Sequence, residues 1–405
     1  MTAPSLPVII AGAGPSGCTL ALYLAQRDIP VLLLEKEESL PIDLRASTFH
    51  PISLDMLADL DKGIVDRMLA KGLRVRRYQY RDRKSGEVAT FDMSLIADET
   101  AHPFRLQLEQ YELTRLICRR LADFDNVEMH FGHDVLDYAD HGQHVDVRVR
   151  TGSGETTLAG AFIVGAEGAR SNIRKSAGLG YLGFTYDEKF LVVSTSFPFE
   201  EVFEDFSWVN YVADPDEWCV VLRTDKVWRV LIPTTPTNAD DEALLLSDEF
   251  IQERLHHLYD KQGDYEIRHR TLYPVNQRVA EMYYKGRMVL VGDACHINNP
   301  LGGMGMNGGL HDALNLGEKL DEIYAGRRTF NDAFAHYDRQ RKDVAVRFVQ
   351  EHTIRNKALM ESTDPDEQRK RQQWLMKTAS DPEAAREFLI ERAMINCVRD
   401  SWATA

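Results

Sequence analysis

The chain predicts an α/β protein of two lobes: a Rossmann-like dinucleotide-binding lobe, an antiparallel sheet inserted into it, and helices at the C-terminus. Three observations predict it. The first forty residues run strand, Gly-rich turn, helix, strand, which is the start of a parallel βαβ unit. Residues 181–274 carry β-branched and aromatic runs separated by turn signals, the pattern of antiparallel strands. Residues 346–405 are charged, with apolar positions at helical spacing. At 405 residues the chain also exceeds the size at which one core stays intact.

Taken in order, residues 7–11 are a short apolar strand, residues 17–27 show helical spacing of Leu20, Leu22 and Leu24, and residues 31–34 are a second buried strand. A helix is expected around 52–58, polar strands near 78–81 and 87–92, and a helix over 111–123. Short strands at 127–131, 135–140, 145–150 and 157–161 read as a meander, and 162–166 as a continuous apolar strand ending in a Gly-rich turn. The inserted sheet is expected to use 190–197, 208–212, 219–223 and 228–233, with Asp214-Pro215-Asp216 as one of its turns. Residues 289–291 return to a buried strand, followed by a Gly-rich turn and a helix from about Gly308. Breaks fall at Asp364-Pro365 and Asp381-Pro382. The lobes are therefore placed at 1–78, 100–180 and 275–345 for the dinucleotide lobe, 79–99 and 181–274 for the sheet lobe, and 346–405 for the terminal helices. Phe348, Ile354, Leu359, Leu375, Phe388, Leu389 and Met394 are expected to pack on the dinucleotide lobe rather than form a dimer seam; a monomer or homodimer is expected.

The apolar fraction of 44% and charged fraction of 27% are ordinary for a soluble protein. A net charge of −15 repels nucleic-acid phosphate and anionic membrane, leaving a small molecule as the expected partner. The five cysteines are isolated in sequence and form no CxxC or metal-ligand pattern, so free thiols in a reducing compartment and no metal are expected. No run of 18 apolar residues occurs, and the first strand begins too early for a signal peptide, so a cytoplasmic location is expected.

Three motifs carry the chemistry. Gly12-Ala13-Gly14-Pro15-Ser16-Gly17 follows a strand and opens a helix. Gly12 permits the tight turn, Gly14 lets backbone approach a pyrophosphate, Gly17 allows helix–strand packing, and the helix N-terminus attracts phosphate. Glu35, with Lys36 beside it, closes the second strand where a carboxylate binds adenosine ribose hydroxyls. The second motif, Gly165-Ala166-Glu167-Gly168-Ala169-Arg170-Ser171, followed by Arg174, suits either a second phosphate or ribose contact or a plain turn capped by Ser171. The third places Asp293 at a strand end, ready to accept from a polyol, and then Pro300-Leu301-Gly302-Gly303-Met304-Gly305-Met306-Asn307-Gly308. The free N–H groups of such a loop face an electron-rich group, and its Gly/Met lining admits a flat ring closely.

The order GAGPSG, GAEGARS, GDACHINNPLGGMGMNGG resembles the group A flavoprotein monooxygenases, the para-hydroxybenzoate hydroxylase fold, over about residues 5–350. The resemblance implies FAD as cofactor, a flavin ring that moves between buried and exposed positions, and NAD(P)H as a diffusible reductant without a Rossmann lobe of its own. It implies hydroxylation of a phenolic or N-heteroaromatic ring by O2 through a flavin C4a-hydroperoxide. It places Arg45 on the pyrophosphate, Gln110 on FAD with Gln107 as the alternative, the backbone of Val135 at the adenine, Gly303, Gly305, Met306 and Asn307 at the flavin ring, and Pro300 beside the substrate. Two positions depart from the family: Glu167 stands where aspartate is usual, and Asn298-Asn299 precede Pro300 without a second proline.

For the substrate, His50 is read as a base or as a histidine tied to backbone, and Tyr211 as a catalytic phenol or a core aromatic. Thr48, Leu222, Asn299 and Pro300 are assigned to the pocket, with Trp208, Trp218, Trp228 and Arg223 as further wall candidates. His296 is read as structural and His256-His257 as helix surface. The tryptophans lack the halogenase WxWxIP spacing, and Cys18 has no neighbour in sequence as a disulfide reductase requires. An FAD-dependent epoxidase or prenyl-chain reductase of the same fold is the alternative, with a non-catalytic flavin-binding protein behind it.

Overall fold

The computed structural model describes residues 6–42, 46–214, 217–234, 241–361 and 364–404. Arg45 and part of the Asp214-Pro215-Asp216 turn lie outside them.

Among these residues a six-stranded sheet runs Tyr284–Lys285, Met288–Leu290, Phe162–Gly165, Val8–Ala11, Val31–Leu34, Val127–His130. Its pairings are parallel except for the short Tyr284–Lys285 hairpin. The apolar VIIA, VLLL and FIVG runs are buried at every position, as strands covered on both faces must be. They share one core with the helices Pro15–Ala25, Gln110–Leu121 and Met304–Tyr324.

Val127–His130 was expected in the meander but instead pairs with Val31–Leu34 at the sheet edge. The residues mark a strand, but its partner is decided by the helix Gln110–Leu121 that returns it to that edge. The meander consists of Asp134–Asp140, Val145–Thr151 and Gly154–Gly160.

The second sheet has eight strands in the order His296–Ile297, Ile267–Ala280, Tyr181–Thr195, Trp228–Pro233, Cys219–Arg223, Val209–Ala213, Arg77–Asp82, Gly86–Asp92. It is antiparallel except where Val209–Ala213 runs parallel to Arg77–Asp82. Tyr181–Thr195 starts nine residues before the expected strand, and Ile267–Ala280 runs through the expected lobe boundary at 274. Both are polar and interrupted in register at Thr185/Lys189, which hides their alternation.

One face of this sheet buries Leu191, Trp228 and Val230 against the helix Asp248–Leu258. The other buries Tyr78, Phe91 and Tyr211 against Leu375, Phe388 and Leu389 of the helices Pro365–Ser380 and Pro382–Arg392. These helices were expected on the dinucleotide lobe; they cover the inserted sheet. Asp364 caps the first by accepting the Asp366 N–H and Asp381 the second by accepting the Glu383 and Ala384 N–H groups, with proline at the first helical position of each. The last helix, Ile395–Ala403, packs beside Met304 and Val344.

A small sheet of Thr48–Phe49, Arg105–Gln107 and Leu73–Val75 stands between the two large ones and carries several site residues.

Candidate active site

The dinucleotide end forms where the first strand meets its helix. Gly12 has φ +105, and a Cβ there would sit 2.5 Å from the Ala166 carbonyl, so no other residue fits the turn. Gly14 differs: its φ is −73 and a Cβ would meet nothing within 4 Å. The protein itself does not require that glycine, and the space it leaves lies at the uncapped N-terminus of Pro15–Ala25, with Pro15 first in the helix. Glu35 is buried beside it, accepting the Ala13 N–H at 2.9 Å and the Glu37 N–H at 3.1 Å. Lys36 is exposed and paired with Glu37. Ser16 joins this turn to the third motif, since a Cβ at Gly292 would come within 2.6 Å of its hydroxyl.

Other cofactor candidates are spread along the same face. Asp293 is partly buried, and its carbonyl accepts from the Tyr181 hydroxyl. Gln110 begins its helix with its N–H on the Ala46 carbonyl. Gln107 accepts from Thr48 Oγ1 at 3.1 Å while its own Nε2 is buried without a partner. Val135 gives its carbonyl to Asn172 Nδ2. Glu167 turns inward, accepting from Ser171 Oγ and the Ile173 N–H, and so caps the helix Asn172–Ser176. Its extra methylene is used for that cap. The open helix terminus, the fixed buried carboxylate and the orphaned Gln107 amide together fit FAD.

At the ring end, Gly302 and Gly303 have φ +101 and +67, and Gly303 is the residue before the helix Met304–Tyr324. This left-handed pair starts the helix four residues earlier than expected, so Gly305, Met306 and Asn307 fall in its first turn. Asn307 is fully buried and fastens that turn to the Thr48–Phe49 strand. Its Oδ1 accepts the His50 N–H at 2.9 Å, and its Nδ2 donates to the carbonyls of Thr48 and Gly303.

His50 completes the same knot. Its Nε2 lies 2.8 Å from the Gly302 carbonyl and donates to it, and its buried Nδ1 has no partner. Burial, reinforced by the charge of Arg105, pushes its pKa down to about 3. The neutral imidazole fastens the loop through Nε2, and its basic Nδ1 is left without a partner.

A cavity of roughly 370 Å³, partly open to solvent, lies over Gly302 and Gly303. Thr48, Tyr211, Leu222 and Pro300 line it. Arg105 lines it too, and nothing in the sequence had singled it out. Arg105 is 3% exposed, donates Nη1 to the Tyr211 hydroxyl at 3.1 Å, and lies 4.1 Å from the centroid of Tyr78. Its Nε has no partner, and no carboxylate of the described residues is ion-paired with it. Its neighbourhood, Phe104-Arg105-Leu106, reads in sequence as an ordinary alternating strand with the charge facing solvent.

Other expected wall residues are elsewhere. Asn299 is not on the cavity; it holds the turn, receiving the Leu301 N–H and giving its own N–H to Gln277 Oε1. Trp228 points to the opposite face of the sheet, its Nε1 on Glu200. Arg223 pairs with Glu200, Trp208 is exposed, and Trp218 packs edge-on against Phe190. His296 is bound to Asp312, itself paired with Arg341, in a buried network. Cys18 does have a neighbour in space, Cys118, with 3.6 Å between sulfurs. On the surface, His141, His144 and Asp146 gather within 4.8 Å, where Asp146 already bridges both imidazoles.

A dinucleotide turn and a largely aliphatic cavity holding Arg105 and Tyr211, joined by one glycine loop, are the frame of a flavin-dependent monooxygenase of the aromatic hydroxylase class. Residues 5–352 match the FAD binding domain family, and the chain belongs to it. It is 28% identical to para-nitrophenol 4-monooxygenase of Pseudomonas sp. (strain WBC-3), over 96% of each chain. It is 29% identical to 6-hydroxy-3-succinoylpyridine 3-monooxygenase of Pseudomonas putida, over 84% of this chain and 85% of that one. Among solved structures, p-nitrophenol 4-monooxygenase from Pseudomonas putida DLL-E4 superposes with a TM-score of 0.90 at 26% identity, covering 97% of this chain and 98% of the other. Among the described residues no helix is long and apolar enough to cross a membrane.

Proposed function

We propose that the chain hydroxylates a phenolic or hydroxylated N-heteroaromatic ring, with NAD(P)H as reductant and O2 as co-substrate, and that it holds the ring as its anion beside Arg105. The observation that carries this reading is the buried, unpaired Arg105 guanidinium in the cavity over Gly302 and Gly303. When bound there, FAD supplies hydride acceptance from NAD(P)H and an electrophilic oxygen derived from O2.

A desolvated cation lacking a carboxylate partner lowers the pKa of any phenol placed next to it. Ionisation raises the electron density of the ring, which is what an electrophilic oxygen requires. The phenolic proton passes to solvent water at the open side of the cavity, and the phenolate stays beside the Arg105 charge. Tyr211 orients the guanidinium, Leu222 and Pro300 bound the ring, and the Asn307–His50 knot keeps the loop closed against water. Gln107, through its free amide, and Glu35 are assigned to FAD, with Gln110, Val135, Asp293 and the glycine turns. Five free, buried cysteines support a cytoplasmic location.

The same cavity argues against a prenyl chain, since a buried guanidinium is a costly neighbour for hydrocarbon. The test is NAD(P)H consumption by the FAD-loaded enzyme over a panel of phenols and hydroxypyridines under 18O2. Consumption stimulated by a ring compound, with one labelled oxygen in the product, is expected. Consumption indifferent to every ring compound, or a product without label, overturns the reading.

A further inference from the structure

A second cavity, roughly 390 Å³ and partly open, adjoins the first and shares Tyr211 and Leu301 with it as a common wall. Its other side comes from the C-terminal helices, through Asn356, Arg371 and Arg392. Tyr80, stacked on Tyr211 with 5.0 Å between centroids, and the apolar Met360, Trp374 and Leu375 complete the lining.

Two guanidinium groups line this space, and among the described residues neither is in an ion pair, the charge of Asp82 acting on Arg371 from a distance. Arg392 is 5% exposed; its Nη1 donates to the neutral Asn356 side chain, its Nε is buried without a partner, and its carbon lies 5.0 Å from the Phe388 centroid. Arg371 has a buried Nη1 without a partner. The carboxylates nearby are already engaged. Asp82 accepts from Gln372 and from the N–H groups of Lys84 and Ser85. Glu391 is taken by His352 at 2.9 Å. A buried guanidinium such as Arg392, hydrogen-bonded to a neutral amide, is costly unless an anion enters, and with the half-buried Arg371 on the same space it offers guanidinium forks that match a carboxylate in shape and charge.

We infer that Arg371 and Arg392 form a carboxylate-binding subsite beside the ring pocket, and that the substrate is a hydroxylated aromatic acid whose side chain passes Tyr211 and Leu301 to reach it. The inference rests on the proposed function for the ring's place, and it adds a substrate class. Asn356 orients Arg392, and the tyrosine pair forms the floor along which a short aliphatic spacer lies.

Equilibrium titration of the FAD-loaded, full-length enzyme, followed by flavin absorbance, tests this without turnover. The probes are hydroxyphenylpropionate and its primary amide, which share ring and spacer and differ in charge. The wild type is expected to bind the acid about tenfold or more tightly over the amide, the usual range for a charge-assisted pair. In Arg392→Met and, separately, Arg371→Met the acid-to-amide preference falls to about twofold or less, and Arg392→Lys is intermediate. Arg371 is partly exposed, so its variant reports even where Arg392→Met fails to fold. Equal affinity of the wild type for acid and amide, no binding of the acid, or a preference that survives in Arg371→Met overturns the subsite; in the last case Arg105 is the group reading the charge. An intact acid preference in an enzyme that no ring compound stimulates to consume NAD(P)H overturns the hydroxylase reading and leaves the subsite standing.

Discussion

Arg105 and Tyr211 meet at 3.1 Å across the boundary between two sheets, guanidinium to hydroxyl, each presenting its remaining surface to the same cavity. On the proposed function, removing the cation removes the charge that favours a ring anion in this cavity. Arg105→Met is expected to lower kcat/KM for phenols by about 10- to 100-fold, the loss of a charge-assisted hydrogen bond, and to move the acid limb of the pH profile upward. Tyr211→Phe is expected to cost a few-fold. Steady-state kinetics on both variants and the double variant check this; because the groups act as one unit, the two losses should not add.

The two glycines of the first turn separate fold from cofactor. Gly12→Ala forces a Cβ onto the Ala166 carbonyl at a positive φ, so thermal stability of the apoprotein should fall by several degrees. Gly14→Ala meets empty space at an ordinary φ, so apoprotein stability should hold to within about 0.5 kcal/mol while the Kd for FAD rises. Calorimetry of the apoprotein with flavin titration distinguishes them, and a Gly14→Ala variant that binds FAD normally would detach that glycine from the cofactor.

These two positions also mark what was legible beforehand. The glycine motifs, Glu35, Thr48, Leu222 and Pro300 could be read because short-range backbone demands, or position next to a motif, leave a local trace. Arg105 could not be read, since its importance comes from burial without a counter-charge, and burial depends on which strands of Thr48–Phe49 and Leu73–Val75 flank it. His50 was visible as a residue near the loop, but only the direction of its Nε2 shows that it fastens Gly302. The C-terminal helices were visible through their Asp-Pro breaks, whereas the sheet they cover was not, because apolar spacing gives a buried face without an address.

The neutrality of His50 has a pH signature. Its folded pKa, about 3, lies below the unfolded value near 6.5, so the unfolded chain takes up the extra proton. The stability this group contributes is complete above pH 6.5 and is lost as pH falls toward 3, by about 1.4 kcal/mol per pH unit. His311, also held well below its usual range by burial and by Arg341, acts in the same direction. His50→Gln should flatten the dependence of Tm on pH between 7 and 5 by one proton's share. The acid limb of kcat/KM should keep its position in that variant; its disappearance would restore His50 as the base.

Asn307 binds three backbone groups at once, and no other side chain of its size and donor–acceptor set replaces it. Asn307→Ala leaves the His50 N–H and the carbonyls of Thr48 and Gly303 without that partner in a buried site. A loss of about 2–4 kcal/mol in stability is expected, together with more NAD(P)H spent on peroxide per product formed. Denaturant unfolding and a peroxide assay check it.

The strand His296–Ile297 pairs with Ile267–Ala280, and Asn299 is fixed to Gln277 of that same strand. The loop at the cofactor is thus hung from the sheet that walls the ring, with no slack segment between them. The position of Gly302 and Gly303 is therefore set by the same sheet that walls the ring, so the two compartments share one frame.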